Sequence, residues 1–281
     1  MVIIRALAKM HQAASALRRQ KKSIGFVPTM GALHKGHLSL IAQARKDNQV
    51  VVVSVFVNPA QFARGEDLRR YPRRAAFDAA LCRKAGVDIL FRPEAPQMYP
   101  RGYRTFISVE GLSEVLCGHF RPGHFRGVAT VVVKLLNLVS PHVMYLGQKD
   151  AQQVAILRKM VDDLHIPTRI KVMPIVREPD GLAMSSRNVY LSPQERKDSL
   201  VLSQALGLAA SLIRAGMRQS DLLIRLMSKL LRTKKSLRIQ YVSIVAPQSL
   251  APVTVVRRGC LIMLAATVGK TRLIDTLVVK P

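Results

Sequence analysis

The sequence contains no tryptophan, few aromatic residues and few cysteines. Aromatic side chains make up 5% of the 281 residues, so a stacking surface for single-stranded nucleic acid is not evident. The three cysteines, Cys82, Cys117 and Cys260, are odd in number and form no C-x-x-C pair. This pattern argues against a disulfide framework or a zinc ribbon and favours a reducing compartment. No apolar run approaches the roughly 18 residues that a membrane helix needs. We therefore expect a cytoplasmic protein without a membrane span.

Acidic residues are also scarce relative to basic ones. The chain has 44 Lys and Arg against 17 Asp and Glu, which gives a net charge of +27 and a sequence pI of about 11.1. Such an excess predicts a polyanionic partner (nucleic acid, an anionic membrane surface or a phosphorylated substrate) or a basic surface unrelated to any active site. Composition leaves both open. Hydrophobic residues at 49% and charged residues at 22% are typical of a folded globular protein.

The first two thirds of the chain alternate between strand-like and helix-like patterns. Residues 1–46 contain no acid and could be mistaken for an organelle transit peptide, but residues 3–4 and 7–17 have the pattern of a strand and then a helix. We interpret them as part of the mature fold. Further strands are predicted at 24–28, 50–57, 87–91 and 143–146, and helices at 38–46, 77–85, 128–138 and 151–164. This alternation predicts right-handed βαβ units and a Rossmann-like parallel sheet.

The pattern changes after residue 186. Residues 193–232 have leucines at helical spacing, and strand-like runs follow at 239–245, 260–268 and 272–279. Helices followed by consecutive strands predict a smaller α+β domain. The predicted fold is therefore an α/β protein with a Rossmann-like domain at 1–182 and a C-terminal domain at 183–281.

Residues 28–37 (PTMGALHKGH) lie where a predicted strand ends and a helix begins, at the ligand edge of a parallel sheet. Gly31 and Gly36 allow the backbone to approach a ligand, and the helix N-terminus offers N–H groups to phosphate. His37 stands where a P-loop needs Lys, so a Walker A motif is excluded. His34 and His37 can both donate hydrogen bonds to a triphosphate as negative charge develops. The alternative is that one histidine caps the helix and the other packs.

Two other clusters follow predicted strands. Residues 58–62 (NPAQF) offer amides that bind hydroxyl and carboxylate groups, or they form an ordinary Asn-Pro turn. In residues 147–153 (GQKDAQQ), Lys149 can bind phosphate, and Asp150 either caps the next helix or approaches Mg²⁺.

Two more clusters lie in loops. Residues 177–188 (REPDGLAMSSRN) can close hydroxyl and guanidinium donors over a triphosphate, or they form a polar interdomain loop. Residues 118–127 (GHFRPGHFRG) supply arginines for phosphate or carboxylate. Their histidines could join His34 and His37 around a metal, but His-x-x-His without an acidic third ligand nearby is not a usual zinc pattern, so no metal-ligating residue is predicted.

Taken in order, PTMGALHKGH, NPAQF, YPR (71–73), GHFRGVATVVVKLLN, GQKDAQQ and REPDGLAMSSRN closely resemble the motifs of the pantoate–β-alanine ligase (pantothenate synthetase) family. This family belongs to the nucleotidyltransferase superfamily, with the class I aminoacyl-tRNA synthetases as relatives. The resemblance runs from the first residues to the last strand. It implies a Rossmann-like domain with a C-terminal lid, a homodimer, and a two-step reaction. In that reaction ATP adenylates pantoate, and β-alanine then displaces AMP. Mg²⁺ is expected with ATP.

The resemblance also implies roles for individual residues. His37 matches the proton donor, His34 its partner on the phosphates, and Lys149 a third catalytic residue on the phosphates. Gln61 and Gln153 match the amides that bind pantoate, with Gln61 also near the β-alanine site. The implied ATP-binding residues are Met30, Gly31, Ala32, Leu33, His34, Lys35, Gly36, His37, Gly147, Gln148, Lys149, Asp150, Val176 (by backbone), Met184, Ser185, Ser186 and Arg187.

Some positions depart from the family pattern. Arg187 stands where the synthetase relatives use Lys, a change that is normal in this family. The first helix lacks acids, and residues 241–247 lack the acids of the similar Y-x-E-(hydrophobic)-V-D-P stretch. Two alternatives remain: another adenylyl- or cytidylyltransferase, or a basic nucleic-acid-binding protein on this fold. Gln61 and Gln153 favour a hydroxy acid, because a phosphorylated substrate would need a basic pair. We therefore expect any nucleic-acid binding to be incidental.

Overall fold

The computed structural model describes residues 1–63 and 65–279. The first part of the chain alternates strands and helices, as predicted. Its elements are β1 (Val2–Ile4), α1 (Leu7–Arg19), β2 (Ile24–Thr29), α2 (Lys35–Asp47), β3 (Val50–Val55), α3 (Ala75–Lys84), β4 (Ile89–Phe91), α4 (Ala95–Met98), α5 (Cys117–Phe120), α6 (His124–Val139), β5 (Val143–Gly147), α7 (Ala151–Asp163) and β6 (Arg169–Met173). Short 3-10 turns cover Pro59–Gln61, Gln148–Asp150 and Ser186–Tyr190.

These six strands form one parallel sheet in the order β1-β4-β3-β2-β5-β6. The sheet has a hydrophobic cluster on each face, which explains why β3 is almost uninterrupted valine. Val50 and Val52 pack into the cluster that includes α6 and α7, whereas Val51 and Val53 pack into the cluster beneath α2 and α3. The predicted Rossmann-like sheet is confirmed.

The C-terminal part consists of α8 (Pro193–Arg214), α9 (Ser220–Leu231), β7 (Leu237–Val245), β8 (Leu261–Val268) and β9 (Thr271–Val278). The three strands form an antiparallel sheet in sequence order, packed against both helices around a separate core. Ser192 and Glu195 make a reciprocal capping box that starts α8. The smaller α+β unit is confirmed. The predicted boundary between residues 182 and 183 lies in the segment between β6 and α8, and it stays a prediction.

The observed elements differ from the predicted ones in several bounds; for example, α6 begins at His124 rather than 128 and β4 at Ile89 rather than 87. Three differences have a clear local cause. Strand β6 was not predicted, because Arg169–Met173 is a half-buried edge strand with two basic residues and no apolar run. Helix α2 begins at Lys35 rather than 38, because the side chains of His34, the N-cap residue, and His37, in the first turn, cap it. Strand β3 ends at Val55 rather than 57, because the chain turns into the 3-10 segment Pro59–Gln61. Among the described residues, no helix is both long and apolar enough to cross a bilayer.

Candidate active site

The strand order reverses between β2 and β5, which places a crevice at the carboxyl ends of these two strands. A cavity of about 230 Å³ lies there. It brings together most of the residues that were predicted to bind ATP and pantoate. Those in its lining are Met30, His34, Gly36, His37, Gln61, Gly147, Lys149, Asp150, Gln153, Val176, Met184, Ser185, Ser186 and Arg187. The other predicted residues, Gly31, Ala32, Leu33, Lys35 and Gln148, are their chain neighbours.

The two histidines start α2 with an unusual reciprocal cap. His34 is the N-cap residue, and its Nδ1 accepts a hydrogen bond from the backbone N–H of Gly36 at 3.1 Å. The Nδ1 of His37 accepts from the backbone N–H of His34 at 3.4 Å. In a neutral imidazole with an accepting Nδ1, the proton sits on Nε2. Both rings therefore carry an Nε2–H donor, and their centroids lie 4.1 Å apart.

Both imidazoles are uncharged at neutral pH. Burial, together with the positive charge of Lys149, lowers the pKa of His34 to about 4. Burial and the neighbouring His34 ring lower the pKa of His37 to about 3. The pair can therefore donate two hydrogen bonds to a phosphate oxygen without contributing positive charge. The positive charge that attracts the phosphate comes instead from Lys149 and Arg187 in the same cavity.

The loop between β2 and α2 is held in a left-handed conformation by a buried carboxylate. Gly31 has φ of 83° and Ala32 has φ of 50°, so two successive residues lie in the region that favours glycine. Asp78 of α3 is 1% exposed and accepts from the N–H groups of Ala32 at 3.0 Å and Leu33 at 2.8 Å. A Cβ at position 31 would lie 2.9 Å from this carboxylate. Asp78 therefore fixes the segment that presents His34 and His37.

Gln61 is buried and its amide is oriented by a neighbour. Asn58 donates from Nδ2 to the Oε1 of Gln61 at 3.0 Å and to the carbonyl of Gly127 at 3.1 Å. The Tyr99 hydroxyl donates to the Oδ1 of Asn58 at 2.8 Å, which fixes the orientation of the Asn58 amide. The Nε2 of Gln61 is left to face the cavity beside the Sδ of Met30, 3.2 Å away. Gln61 thus offers N–H donors to a carboxylate or hydroxyl.

Of the two adjacent glutamines at the start of α7, only Gln153 lines the cavity. Gln152 is buried, and its side-chain amide is engaged in hydrogen bonds within the protein. It donates to the carbonyls of Leu112 and Val115 and accepts from the N–H of Cys117. Gln153 is thus the one of the two that faces the cavity, and its role in binding pantoate stays a prediction.

Lys149 and Asp150 lie between two cavities. Both line the switch-point cavity and also a larger one of about 660 Å³ that extends to the C-terminal sheet. The hydroxyl of Thr276 on β9 donates to the carbonyl of Lys149 at 3.2 Å. This contact joins the ligand edge of the parallel sheet to the C-terminal sheet.

Residues 176–184 form a short hairpin rather than an open loop. The N–H of Met184 donates to the Val176 carbonyl at 3.1 Å, and Arg177 and Ala183 form an antiparallel bridge around the Pro-Asp-Gly turn. Arg177 also makes a bidentate ion pair with the buried Asp275 of β9, at 2.6 and 3.0 Å. The hairpin therefore packs on both the cavity and the C-terminal sheet.

Arg187 follows this hairpin and is already paired. Its guanidinium makes a bidentate ion pair with Asp67, at 2.9 and 3.0 Å, and lies 5.6 Å from the Tyr71 ring centroid. The Tyr71 and Ser186 hydroxyls are 2.9 Å apart. Arg187 must therefore leave Asp67, or share it, to reach a phosphate.

The histidine-rich segment 118–127 supports the site from outside the switch-point cavity. The Nδ1 of His124 lies 2.7 Å from the Gln61 carbonyl, and Arg121 pairs with Glu66 at 2.5 Å. Burial and the adjacent Arg121 lower the pKa of His124 to about 3. Within residues 1–63 and 65–279, no group of three His, Cys, Asp or Glu side chains could hold a metal ion.

Sequence reasoning missed the carboxylates Asp78, Glu66 and Asp67 and the orienting role of Asn58. Tyr71 and Arg73 were quoted only as the YPR motif. Arg73 donates to the carbonyls of Leu68, Arg69 and Tyr71, so it folds the segment that carries Asp67. Asn58 stood within the NPAQF motif and could have been found there. Asp78 carries no local signal, because its partners lie 45 and 46 residues earlier in the chain.

The parallel sheet and the site at its switch point define a nucleotide-binding α/β enzyme fold. The site combines paired neutral histidines, lysine and arginine donors, and oriented amides. Comparison with known proteins narrows this class. The family model described as pantoate-beta-alanine ligase matches residues 2–278. The chain belongs to the pantoate-beta-alanine ligase family, and it is a ligase of the kind that forms pantothenate.

The relatives match over the full chain. Pantothenate synthetase from Heliobacterium modesticaldum is 52% identical over 280 residues and covers 100% of both chains. The same enzyme from Thermotoga neapolitana is 51% identical over 275 residues and covers 98% of each. The crystal structure of pantothenate synthetase from Thermus thermophilus has a TM-score of 0.95 at 45% identity, with 100% of each chain covered. A pantoate-beta-alanine ligase from Francisella tularensis, complexed with "Beta-gamma ATP" and beta-alanine, has a TM-score of 0.81 at 35% identity and covers 99% of this chain and 97% of its own.

Proposed function

We propose that this chain condenses pantoate with β-alanine at the expense of ATP, through a pantoyl-adenylate intermediate. The observation that carries the proposal is the switch-point cavity. It places donors suited to a triphosphate opposite amides suited to a hydroxy acid. The Francisella tularensis relative, whose complex contains ATP and beta-alanine, supports the choice of substrates.

In the first step, a pantoate carboxylate oxygen attacks the α-phosphorus of ATP. The new P–O bond forms as the bond to the β-phosphate oxygen breaks, and pyrophosphate leaves with the electron pair. His34 and His37 donate Nε2–H to the phosphates, and Lys149 and Arg187 balance the charge that develops. Because the two Nδ1 atoms accept the hydrogen bonds that cap α2, both rings keep the Nε2–H directed away from the helix backbone and available to the phosphates. Gln61 and Gln153 hold the pantoate in line.

The remaining ATP contacts come from the neighbouring backbone and hydroxyls. Met30, Gly31, Ala32, Leu33, Lys35 and Gly36 form the first nucleotide segment, and Gly147, Gln148 and Asp150 form the second. Val176 and Met184 border the base, while Ser185 and Ser186 donate hydroxyls beside Arg187. These assignments rest on the placement of most of these residues around one cavity.

In the second step, the neutral amine of β-alanine attacks the acyl carbon of the adenylate near Gln61. The C–N bond forms, the C–O bond to AMP breaks, and the phosphate of AMP takes the electron pair while the amine proton passes to water. Adenylation is needed because a free carboxylate is a poor acyl donor. The protein contributes mainly position and charge stabilisation.

We propose that Mg²⁺ accompanies ATP. The chemistry of the donor set fits this, because Mg²⁺ is usually held by one or two carboxylates together with substrate phosphates. Asp150 supplies such a carboxylate: it lines both cavities beside Lys149 and makes no ion pair among the described residues. Mg²⁺ would neutralise phosphate charge there.

The family resemblance further implies a cytoplasmic homodimer. Edge strand β1 exposes Val2 and Ile3, at 61% and 42%, which supports an apolar contact between copies. The proposed domains are residues 1–182, which bind nucleotide and pantoate, and residues 183–281, which form the lid. The mass in solution, measured by light scattering, tests the dimer. Salt-dependent binding to a random duplex would measure the incidental nucleic-acid affinity expected from the charge.

The experiment that tests the function is release of pyrophosphate from ATP and Mg²⁺ in the presence of pantoate, without and then with β-alanine. We expect release that depends on pantoate, followed by AMP and pantothenate once β-alanine is added. Folded protein that binds ATP but shows no release with pantoate would refute the assigned substrate and favour another nucleotidyltransferase. Protein that fails to bind ATP would refute the enzyme assignment.

A further inference from the structure

A second cavity opens at the same edge of the parallel sheet, next to the candidate active site. It has a volume of about 400 Å³ and lies at the carboxyl ends of β1, β3 and β4. Met30 lines this cavity and the switch-point cavity, so the two share a wall. The mechanism proposed above does not use the second cavity.

The rim of this cavity is strongly basic. The rim contains four arginines, Arg5, Arg73, Arg74 and Arg92. We refer to the whole cavity as the arginine pocket. Among residues 1–63 and 65–279, none of these four arginines forms a salt bridge. Arg73 is engaged with backbone carbonyls of the segment before it, so the other three guanidinium groups are available to a ligand.

The two carboxylates in the arginine pocket do not cancel this charge. Asp78 is buried and accepts from the N–H groups of Ala32 and Leu33. Glu94 is the other acid among the described residues of the lining, so four arginines face two carboxylates. The first turn of α3 also begins here, at Ala75, after an N-cap residue that makes no side-chain cap. A helix start of this kind adds backbone N–H donors and a positive end to the arginines.

The floor of the pocket is apolar. Val55, Phe56, Val57, Pro72 and Pro93 line it beneath the arginines. A volume of about 400 Å³ is far larger than one phosphate ion, whose size is comparable to a few waters at roughly 30 Å³ each. Charge at the rim and an apolar floor together fit a ligand with an anionic group and a hydrophobic body.

We propose that the arginine pocket binds a small organic phosphate and that its occupancy alters the neighbouring active site. Two contacts couple the sites. The Sδ of Met30 lies 3.2 Å from the Nε2 of Gln61, and Asp78 holds the loop that presents His34. A ligand that displaces Met30 changes the geometry around Gln61, and an anion close to the Asp78 carboxylate repels it and so disturbs the loop that presents His34. This inference goes beyond the proposed ligase activity, since the arginine pocket lies outside the switch-point cavity in which the substrates would bind.

Phenyl phosphate is a suitable probe, because it joins a phosphate to an apolar ring. Titration calorimetry would compare wild type with the double variant Arg74→Ala/Arg92→Ala. A matched control, Arg158→Ala/Arg225→Ala, removes the same charge from two exposed arginines that lie on α7 and α9. We expect the first double variant to bind at least tenfold more weakly and the control to bind as wild type does. Equal affinity in all three proteins would overturn the proposal.

Two further arms separate this pocket from the active site and from free phosphate. His37→Ala should retain phenyl phosphate binding, and loss of binding there would place the probe in the active site and overturn the proposal. Inorganic phosphate should bind at least tenfold more weakly than phenyl phosphate. Equal affinity would overturn the claim that the pocket recognises the organic group of its ligand. With ATP saturating, phenyl phosphate should change the KM for pantoate in wild type and not in Arg74→Ala/Arg92→Ala. An unchanged KM in wild type would overturn the coupling.

Discussion

Gly127 is the point at which α6 touches the turn that carries Gln61, and we expect Gly127→Ala to disturb both stability and pantoate use. A Cβ at this position would lie 2.2 Å from the Ala60 carbonyl oxygen and 2.6 Å from the Cα of Gln61. Ordinary contact begins at 3.4 Å, so the helix and the turn must separate by about 1 Å. Both contacts are backbone atoms, which cannot rotate away.

The cost of this overpacking is about 1–3 kcal/mol, reduced by the roughly 0.5–1 kcal/mol that alanine gains over glycine inside a helix. Each kcal/mol lowers the Tm by about 2–4 °C in a protein near this size. Catalysis is more sensitive, because displacement of a positioning group by about 1 Å costs up to roughly 100-fold. We expect kcat/KM for pantoate to fall toward this limit while ATP binding is retained.

The matched control is Gly207→Ala in α8. No atom lies within 4 Å of a Cβ there, so this variant should be more stable by about 0.5–1 kcal/mol and fully active. The assays are urea unfolding and pyrophosphate release as a function of pantoate concentration. If Gly127→Ala matched wild type in both, the close approach of α6 to the Gln61 turn would not position the site, and the reasoning would be refuted.

Four other predictions address the site. His37→Ala should keep the fold, shown by an unchanged circular dichroism spectrum, and abolish pyrophosphate release; near-normal turnover would remove its assigned role. Gln61→Ala should raise the KM for pantoate more than that for ATP, and the reverse would mean that the pantoate pocket lies elsewhere. Asp78→Asn turns an amide N–H toward backbone donors of the loop, so we expect the free energy of unfolding in urea to fall by about 1–3 kcal/mol. A fall as small as that of the control Asp163→Asn, at an exposed position, would contradict this. Burial lowers the pKa of His34, His37 and His124 below the unfolded value of 6.5, so the unfolded chain binds more protons below that pH. The free energy of unfolding should therefore be fully retained above pH 6.5 and should fall on acidification toward pH 4. The expected fall is up to about 1.4 kcal/mol per pH unit for each histidine. An unchanged urea midpoint between pH 7 and pH 5 would contradict this prediction.

The parts of the fold that could be predicted are those with a local pattern. The valine-rich β3 has strand character on its own, and the leucine spacing of α8 predicts a helix whatever surrounds it. Strand β6 is different, because its position follows from pairing with β5 rather than from an apolar run. Periodicity in one segment does not contain that information.

The candidate site divides in the same way. His34, Gln61 and Lys149 lie in short motifs next to strand ends, so the sequence indicates both their chemistry and their meeting place. The alternative that a histidine caps α2 is confirmed for His34, and this capping contact is what fixes the Nε2–H tautomer, while the role on the phosphates stays a prediction. Asp67 and Asp78 could not be predicted, because each acts on a partner far away in the chain.

The ion pair between Arg177 and Asp275 couples the two parts of the chain thermodynamically. Asp275 is 2% exposed, and its cation comes from before the predicted boundary at residues 182 and 183. A C-terminal fragment beginning at 183 would leave this carboxylate buried without its partner, a loss that costs about 3–5 kcal/mol in comparable cases. The C-terminal unit therefore depends on the hairpin of residues 176–184 for its stability, and we expect the two units to unfold together rather than in separate transitions.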